Sequence, residues 1–274
     1  MDSLIRRCLP YVLGLGLALT TLAQKPAKGG AQADIEHMRE ELGVNEFTAP
    51  SIELVFQELN YLKPIPFDKV WRDIPDNTPQ NRHRLALAAG GVIADGFLAV
   101  TAEKQSRIEP VGRNLQRLAK SLGVGEHVTK HSRSILEKSL KKEWGDVRKE
   151  LSRAQAEVEA AMMNLKDEEI AHLVALGGWL RGLEITSGVV VEDYSPERAR
   201  RLVQPELMDY FLDRVNTLNP TFKKSKLGVM LAANLKEAKA LSSKPVNTPI
   251  GLDDVKRIHA LAKEINRSIA KDEE

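Results

Sequence analysis

The sequence predicts an all-α fold, a multi-helix bundle. Aromatic residues make up only 5% of the chain, and alanine and leucine lead a 42% hydrophobic share; both are strong helix formers. Apolar residues recur at three- and four-residue steps, and no stretch alternates apolar with polar as a half-buried strand does. Two glycine-bearing helices are expected to pack closely at the centre of this bundle, with a proline-rich strap crossing it.

The chain opens like an export signal. Arg6 and Arg7 precede an apolar run from Leu9 to Leu22, and Thr21-Leu22-Ala23 places small residues before Gln24. Residues 1–23 are therefore expected to be a signal peptide, 24–33 a flexible lead-in, and 34–274 a single helical domain. Its core is expected over 78–218 and its C-terminal helices over 225–270. Cleavage would remove Cys8, the one cysteine, which excludes a disulfide, cysteine-ligated zinc and haem attachment in what remains. It would also take two of the 40 basic and one of the 38 acidic residues, leaving a net charge of +1. That balance gives no reason to expect nucleic acid. The one charged concentration, six lysines against Glu237 between Phe222 and Lys244, reads as a solvated helix face.

Asp34 is placed to cap a short helix ending near Gly43. A second helix follows Thr48-Ala49-Pro50, with Ile52, Val55, Leu59 and Leu62 on one stripe. KPIPFDKVWRDIPDNTPQ then carries prolines at 64, 66, 75 and 79, which disfavour helix. Its Phe67, Val70, Trp71 and Ile74 point to a strap lying across other helices. Thr78-Pro79 offers an N-cap and first position for a helix ending before Pro110, and from Leu85 to Ala102 its only charge is Asp95. Further helices are expected over Val111–Leu122, stopped by Gly123, and over Val128–Lys142, buried on Ile135, Leu136 and Leu140. From Asp146 to Val191 runs a heptad-like seam: Leu151, Ala154, Val158, Ala161, Leu165, Glu168, His172, Ala175, Trp179, Gly182, Thr186 and Val189. An unbroken helix of that span would reach on the order of 70 Å, so a break is expected near Asp167 or Gly177-Gly178. Ser195-Pro196, Pro205, Ser225 and Asp253 open the remaining helices.

The segments LAAGGVIADG and LVALGGWLRG share small residues at helical spacing. Gly90 and Gly91 in the first, and Gly177, Gly178 and Gly182 in the second, are expected to let two helix backbones approach closely. Both segments are long enough to span a membrane, but Asp95 in one and His172, Arg181 and Glu184 in the other would be costly there. No transmembrane domain is therefore expected after signal cleavage.

The polar residues of these helices are the candidate site. A buried Asp95 needs a partner, and His172 or Arg181 on the facing helix would supply one and set the register. Glu169 lies one turn before His172, and Glu169-Ile170-Ala171-His172 resembles half the ligand set of ferritin-like di-metal bundles. The chain has no second such motif. The metal candidates are thus Glu169 and His172, with Asp95 and Glu103 eight residues apart and His127 and His131 at i, i+4 as further donors. No cofactor is otherwise expected. Phosphate-loop, nucleophile-elbow and HExxH motifs are all missing, which puts a non-enzymatic role ahead of acid–base chemistry by Asp95, Glu169 and His172. Asn266-Arg267-Ser268 is a glycosylation sequon. The sequence therefore reads as an exported, periplasmic or extracellular bacterial binding or scaffold protein, with a protein partner or self-association in view. The alternative is a ligand- or metal-binding bundle centred on Asp95, Glu169 and His172.

Overall fold

A computed structural model describes residues 52–244 and 248–271; the expected signal peptide, lead-in and first short helix lie outside them. Among the described residues the fold is all-α, without a strand. In chain order the helices are α1 (Ile52–Tyr61), α2 (Phe67–Val70), α3 (Arg82–Thr101), α4 (Gln105–Leu122), α5 (Gly125–Leu140) and α6 (Trp144–Asn164). They continue with α7 (Glu168–Glu192), α8 (Pro196–Arg200), α9 (Pro205–Thr217), α10 (Pro220–Lys224), α11 (Lys226–Ser242) and α12 (Leu252–Ala270).

The centre is the crossing of α3 and α7, the most extensive helix pairing among the described residues. Both helices are apolar all round, as buried helices are, and nearly every residue from Leu85 to Thr101 and from Ile170 to Val190 is buried. They pass the length and hydropathy test for a membrane span, yet their apolar windows are 89% and 94% covered by the rest of the fold. Glycine makes the crossing. A Cβ on Gly90 would sit 1.9 Å from the Val174 carbonyl oxygen, and one on Gly177 would sit 2.1 Å from that of Leu87. Only hydrogen fits at either position, so the two backbones meet there without side chains between them. α12 covers a second side of α7, while α4 and α6 flank α3.

Around this pair several boundaries differ from the sequence expectation, each for a local reason. α3 starts at Arg82, not after Thr78, because Asn81 caps it by accepting from the Arg84 N–H at 3.0 Å. Thr78 stays in the strap and accepts from Arg117. α3 ends at Thr101, and Glu103 turns the chain at φ 56°. α4 then begins at Gln105 and carries Pro110 as its sixth residue, past the first turn, so that one intrahelical hydrogen bond is forgone. Gly123 ends α4 at φ 89°, with the Gly123 and Val124 N–H groups returning to Lys120 and Ala119, the αL ending glycine favours. The long seam breaks at 165–167, where Lys166 has φ 58°, while Gly177 and Gly178 run straight on within α7. The break leaves Leu165 58% exposed. In α5 the buried positions are Val128, His131 and Ser139, whereas Ile135 and Leu136 are half-buried and Leu140 is exposed. The apolar stripe expected to meet the core thus faces partly away from it.

The strap crosses α3 and α7 as an extended run with α2 as its single turn. Phe67 and Val70 are buried, and Trp71 and Ile74 pack against the core. Lacking a ladder, its backbone carbonyls must find other donors. Asn114 donates to the Pro75 oxygen at 3.0 Å, Arg117 to the same oxygen at 3.1 Å, and Arg181 to Val70 at 2.8 Å.

Candidate functional site

The residues singled out from the sequence fall into separate places. Asp95, on α3, is fully buried and does meet a cation from the facing helix: Arg181 Nε donates to Oδ1 at 2.7 Å. A second guanidinium, from Arg72 in the strap, donates to Oδ2 at 2.9 Å. Arg181 also pairs with Glu184 one turn on, at 3.0 Å. Burial by itself would lower the Arg181 pKa, but Asp95 and Glu184 more than offset that and hold it above its ordinary value. Gly91 has a part in this network that its neighbour Gly90 does not share. A Cβ on Gly91 would lie 2.9 Å from the Arg72 guanidinium, so its bare backbone is the channel through which Arg72 reaches Asp95. Gly178 offers its backbone nitrogen to the Gly90 contact, and Gly182 is buried on the same helix.

Glu169 and His172 do not join this cluster. At 1.5 Å per residue they stand about 14–18 Å from Arg181 along α7, too far to share a ligand with Asp95. Glu169 is half-exposed and binds His83 on α3, whose ring stacks on Phe222, while also accepting from the Asn219 N–H at 3.1 Å. It clasps the starts of α3, α7 and α10. His172 is buried and shares a 2.8 Å hydrogen bond with the Tyr210 hydroxyl through Nδ1. Desolvation, helped by the positive charge of Arg214, lowers its pKa to about 4, so it is a neutral imidazole at pH 7. His172 is therefore not Asp95's partner; the crossing register gives that place to Arg181.

The other donors are similarly committed. Both histidines of the i, i+4 pair lie on α5, but His127 is exposed and His131 is buried between α5 and α6. His131 Nδ1 is 2.7 Å from Glu150, and Nε2 is 3.0 Å from Glu157 on its other side. Desolvation raises the Glu150 carboxyl, yet its bonds to Lys138 and His131 win and hold it below the ordinary carboxylate value. Glu103 lies beyond the end of α3, exposed and away from Asp95. Among the described residues no three His, Cys, Asp or Glu side chains converge as a metal would require. Asn266 of the sequon is buried, its amide nitrogen bonded to the Leu180 and Ala262 carbonyls at 3.1 and 3.0 Å. The folded chain offers no acceptor there. The basic run is also partly neutralised, with Lys239 on Asp209 and Lys244 on Asp254.

What the sequence did not reveal is a groove of about 430 Å³ between α4 and α5. Its floor is Gly96, Val100 and Leu151, and its walls include Ile135 and Leu136, the α5 residues that miss the core. The sequence showed the apolar stripe of Ile135 and Leu136 on α5 but not that it stays partly uncovered. The groove is roofless partly because Gly112 contributes no side chain, and a Cβ there would meet nothing within 4 Å.

Compared with known protein families, curated proteins and solved structures, the chain matches none. The fold and its sites nevertheless define a class: an all-α bundle whose central buried charges, Asp95, Arg181 and Glu184, pair with one another and which carries an open, mostly apolar groove.

Proposed function

We propose that this chain is an exported, non-enzymatic helical binding protein, working outside the cytoplasmic membrane of a bacterium. The observation that carries this reading is the pairing of spent polar residues with an unspent groove. An acid–base or metal centre needs reactive groups that converge and reach substrate. Asp95, Arg181 and Glu184 answer one another inside the core, and Glu169 and His131 hold helices together. The groove, by contrast, falls within the roughly 300–1,000 Å³ range of small-molecule sites and its apolar lining has no partner from the described chain. Export is supported by the Arg6-Arg7 pair, the apolar run after it and the small residues before Gln24.

The test has two parts. N-terminal sequencing of the chain recovered from the exported fraction is expected to begin at Gln24; recovery of Met1 from the cytoplasm alone would remove the export half. Native and denatured masses of that purified chain are expected to differ by a bound species. Turnover abolished by Glu169→Gln or His172→Gln on any hydrolytic or transfer substrate would overturn the non-enzymatic half.

A further inference from the structure

We propose that the groove between α4 and α5 takes an amphipathic monoanion, an aliphatic chain ending in a carboxylate, with Arg133 as its headgroup partner. This deepens the binding-protein reading and rests on it. The groove is large enough to be a site and its floor and inner walls are aliphatic, built from Val100, Leu151, Ile135 and Leu136. No aromatic side chain lines it, so nothing selects for a flat ring; a flexible methylene chain is the shape such a wall accommodates. The charges at its rim are Glu109, Arg113 and Arg133, a net +1. Glu109 and Arg113 pair with each other one helical turn apart on α4, which leaves Arg133 as the free charge. Arg133 is exposed on α5 and makes no ion pair or hydrogen bond with a described residue. A guanidinium beside an apolar trough favours a carboxylate, which it can bind with two parallel N–H donors.

Two features of the fold hold the trough open. Gln116 on α4 donates to the Thr129 hydroxyl on α5 at 3.0 Å, bridging the helices near the groove. Gly96 sets the depth of the floor, since a Cβ there would crowd Val111 at 3.2 Å and Leu151 at 3.4 Å. The missing side chain at Gly112 then leaves part of the trough uncovered. A Cβ there meets nothing within 4 Å, which makes Gly112→Leu the blocking variant, its fold checked by circular dichroism and melting.

The experiment is calorimetric titration of the whole chain with decanoate, decanol and decyltrimethylammonium, each below its aggregation concentration. Decanoate is expected to bind one to one and roughly 3- to 10-fold more tightly than decanol, with the cationic amphiphile weakest. Gly112→Leu is expected to weaken decanoate by about tenfold or more while leaving the helical circular dichroism intact and the melting temperature equal to or above that of the wild type. Arg133→Gln is expected to erase the preference for decanoate and leave decanol within about twofold of its wild-type affinity. Equal decanoate binding by wild type and Gly112→Leu would place the site elsewhere. Binding of the cation as tight as that of decanoate would remove Arg133 as the headgroup partner. Absence of decanoate binding, alongside a native mass excess lost in Gly112→Leu, would overturn the anion and keep the binding protein. An excess of polypeptide mass in that case would assign the groove to a partner helix. Absence of both would overturn the two readings together.

Discussion

Replacing Asp95 with alanine takes away the one carboxylate that two guanidiniums share and leaves Arg181, 1% exposed, with only Glu184 opposite it. Breaking a buried pair by removing one member typically costs about 3–5 kcal/mol, because the survivor stays desolvated. Glu184 retains part of the compensation, which argues for the lower end. Arg72 is 23% exposed and can turn toward water, so its share is about 1 kcal/mol or less. The expected loss is therefore about 3–4 kcal/mol, or roughly 6–16 °C in melting temperature for a domain of this size. Urea denaturation followed by circular dichroism measures it, with the slope checked for two-state behaviour. Arg181→Met should cost a similar amount, and Asp95→Ala with Arg181→Met should cost less than the two single changes added, giving a coupling energy of about 1–3 kcal/mol. Additive losses within about 0.5 kcal/mol would show that the pair contributes nothing beyond its parts and would refute the register role assigned to it.

Gly90→Ala and Gly177→Ala drive a methyl into a facing backbone carbonyl, so each should destabilise by about 2 kcal/mol or more despite alanine's helix propensity; equal or higher stability in the same denaturation assay would mean that the helices do not cross there. Gly112→Ala meets open space and should instead stabilise by about 0.5–1 kcal/mol. For His172 the folded pKa is depressed to about 4, so the unfolded chain binds the extra proton between the two values. The stability this ring contributes should be full above about pH 6.5 and be lost as pH drops toward 4, by up to about 3 kcal/mol. His172→Gln should take that contribution out of the slope between pH 4 and 6.5 and leave those of His259, whose pKa burial also lowers, and Glu159, whose pKa burial raises to about 7; a slope identical to that of the wild type would refute the burial of a neutral ring. Because Asn266 donates to two backbone carbonyls, expression in a glycosylating host should add no glycan mass at Asn266 to the folded chain. Asn266→Ala should cost about 1–3 kcal/mol, and a modified Asn266 in natively folded material would contradict its burial.

Much of the secondary structure was legible along the chain because its causes are local. Gly123 ends a helix wherever φ must turn positive, Ser195 caps the next residues through its own side chain, and the small-residue spacing in LAAGGVIADG and LVALGGWLRG needs no partner to be seen. That the long seam breaks followed from length alone; which of Asp167 and Gly177-Gly178 marks the place did not, and the chain turns at 165–167. Errors came where two local signals competed. Asn81 outdid Thr78 as a cap, and the turn at Glu103 let α4 start ahead of Pro110. On α5 the apolar stripe of Ile135, Leu136 and Leu140 was visible, but a stripe says only that a face is apolar, not that anything covers it.

By itself the sequence determined the class of fold, the identity of the two central helices and the need of Asp95 for a countercharge, because an isolated carboxylate in an apolar run is costly in any arrangement that buries it. Only the tertiary structure decided which cation answers it. The close approach of Gly90 to Val174 and of Gly177 to Leu87 sets the crossing register of α3 and α7, and that register brings Arg181 to Asp95 while leaving His172 to Tyr210. The second cation, Arg72, comes from an extended strap with no periodicity to place it. The groove between α4 and α5 likewise arises from how two helices splay over a third, a relation between elements far apart in the chain that no local pattern encodes.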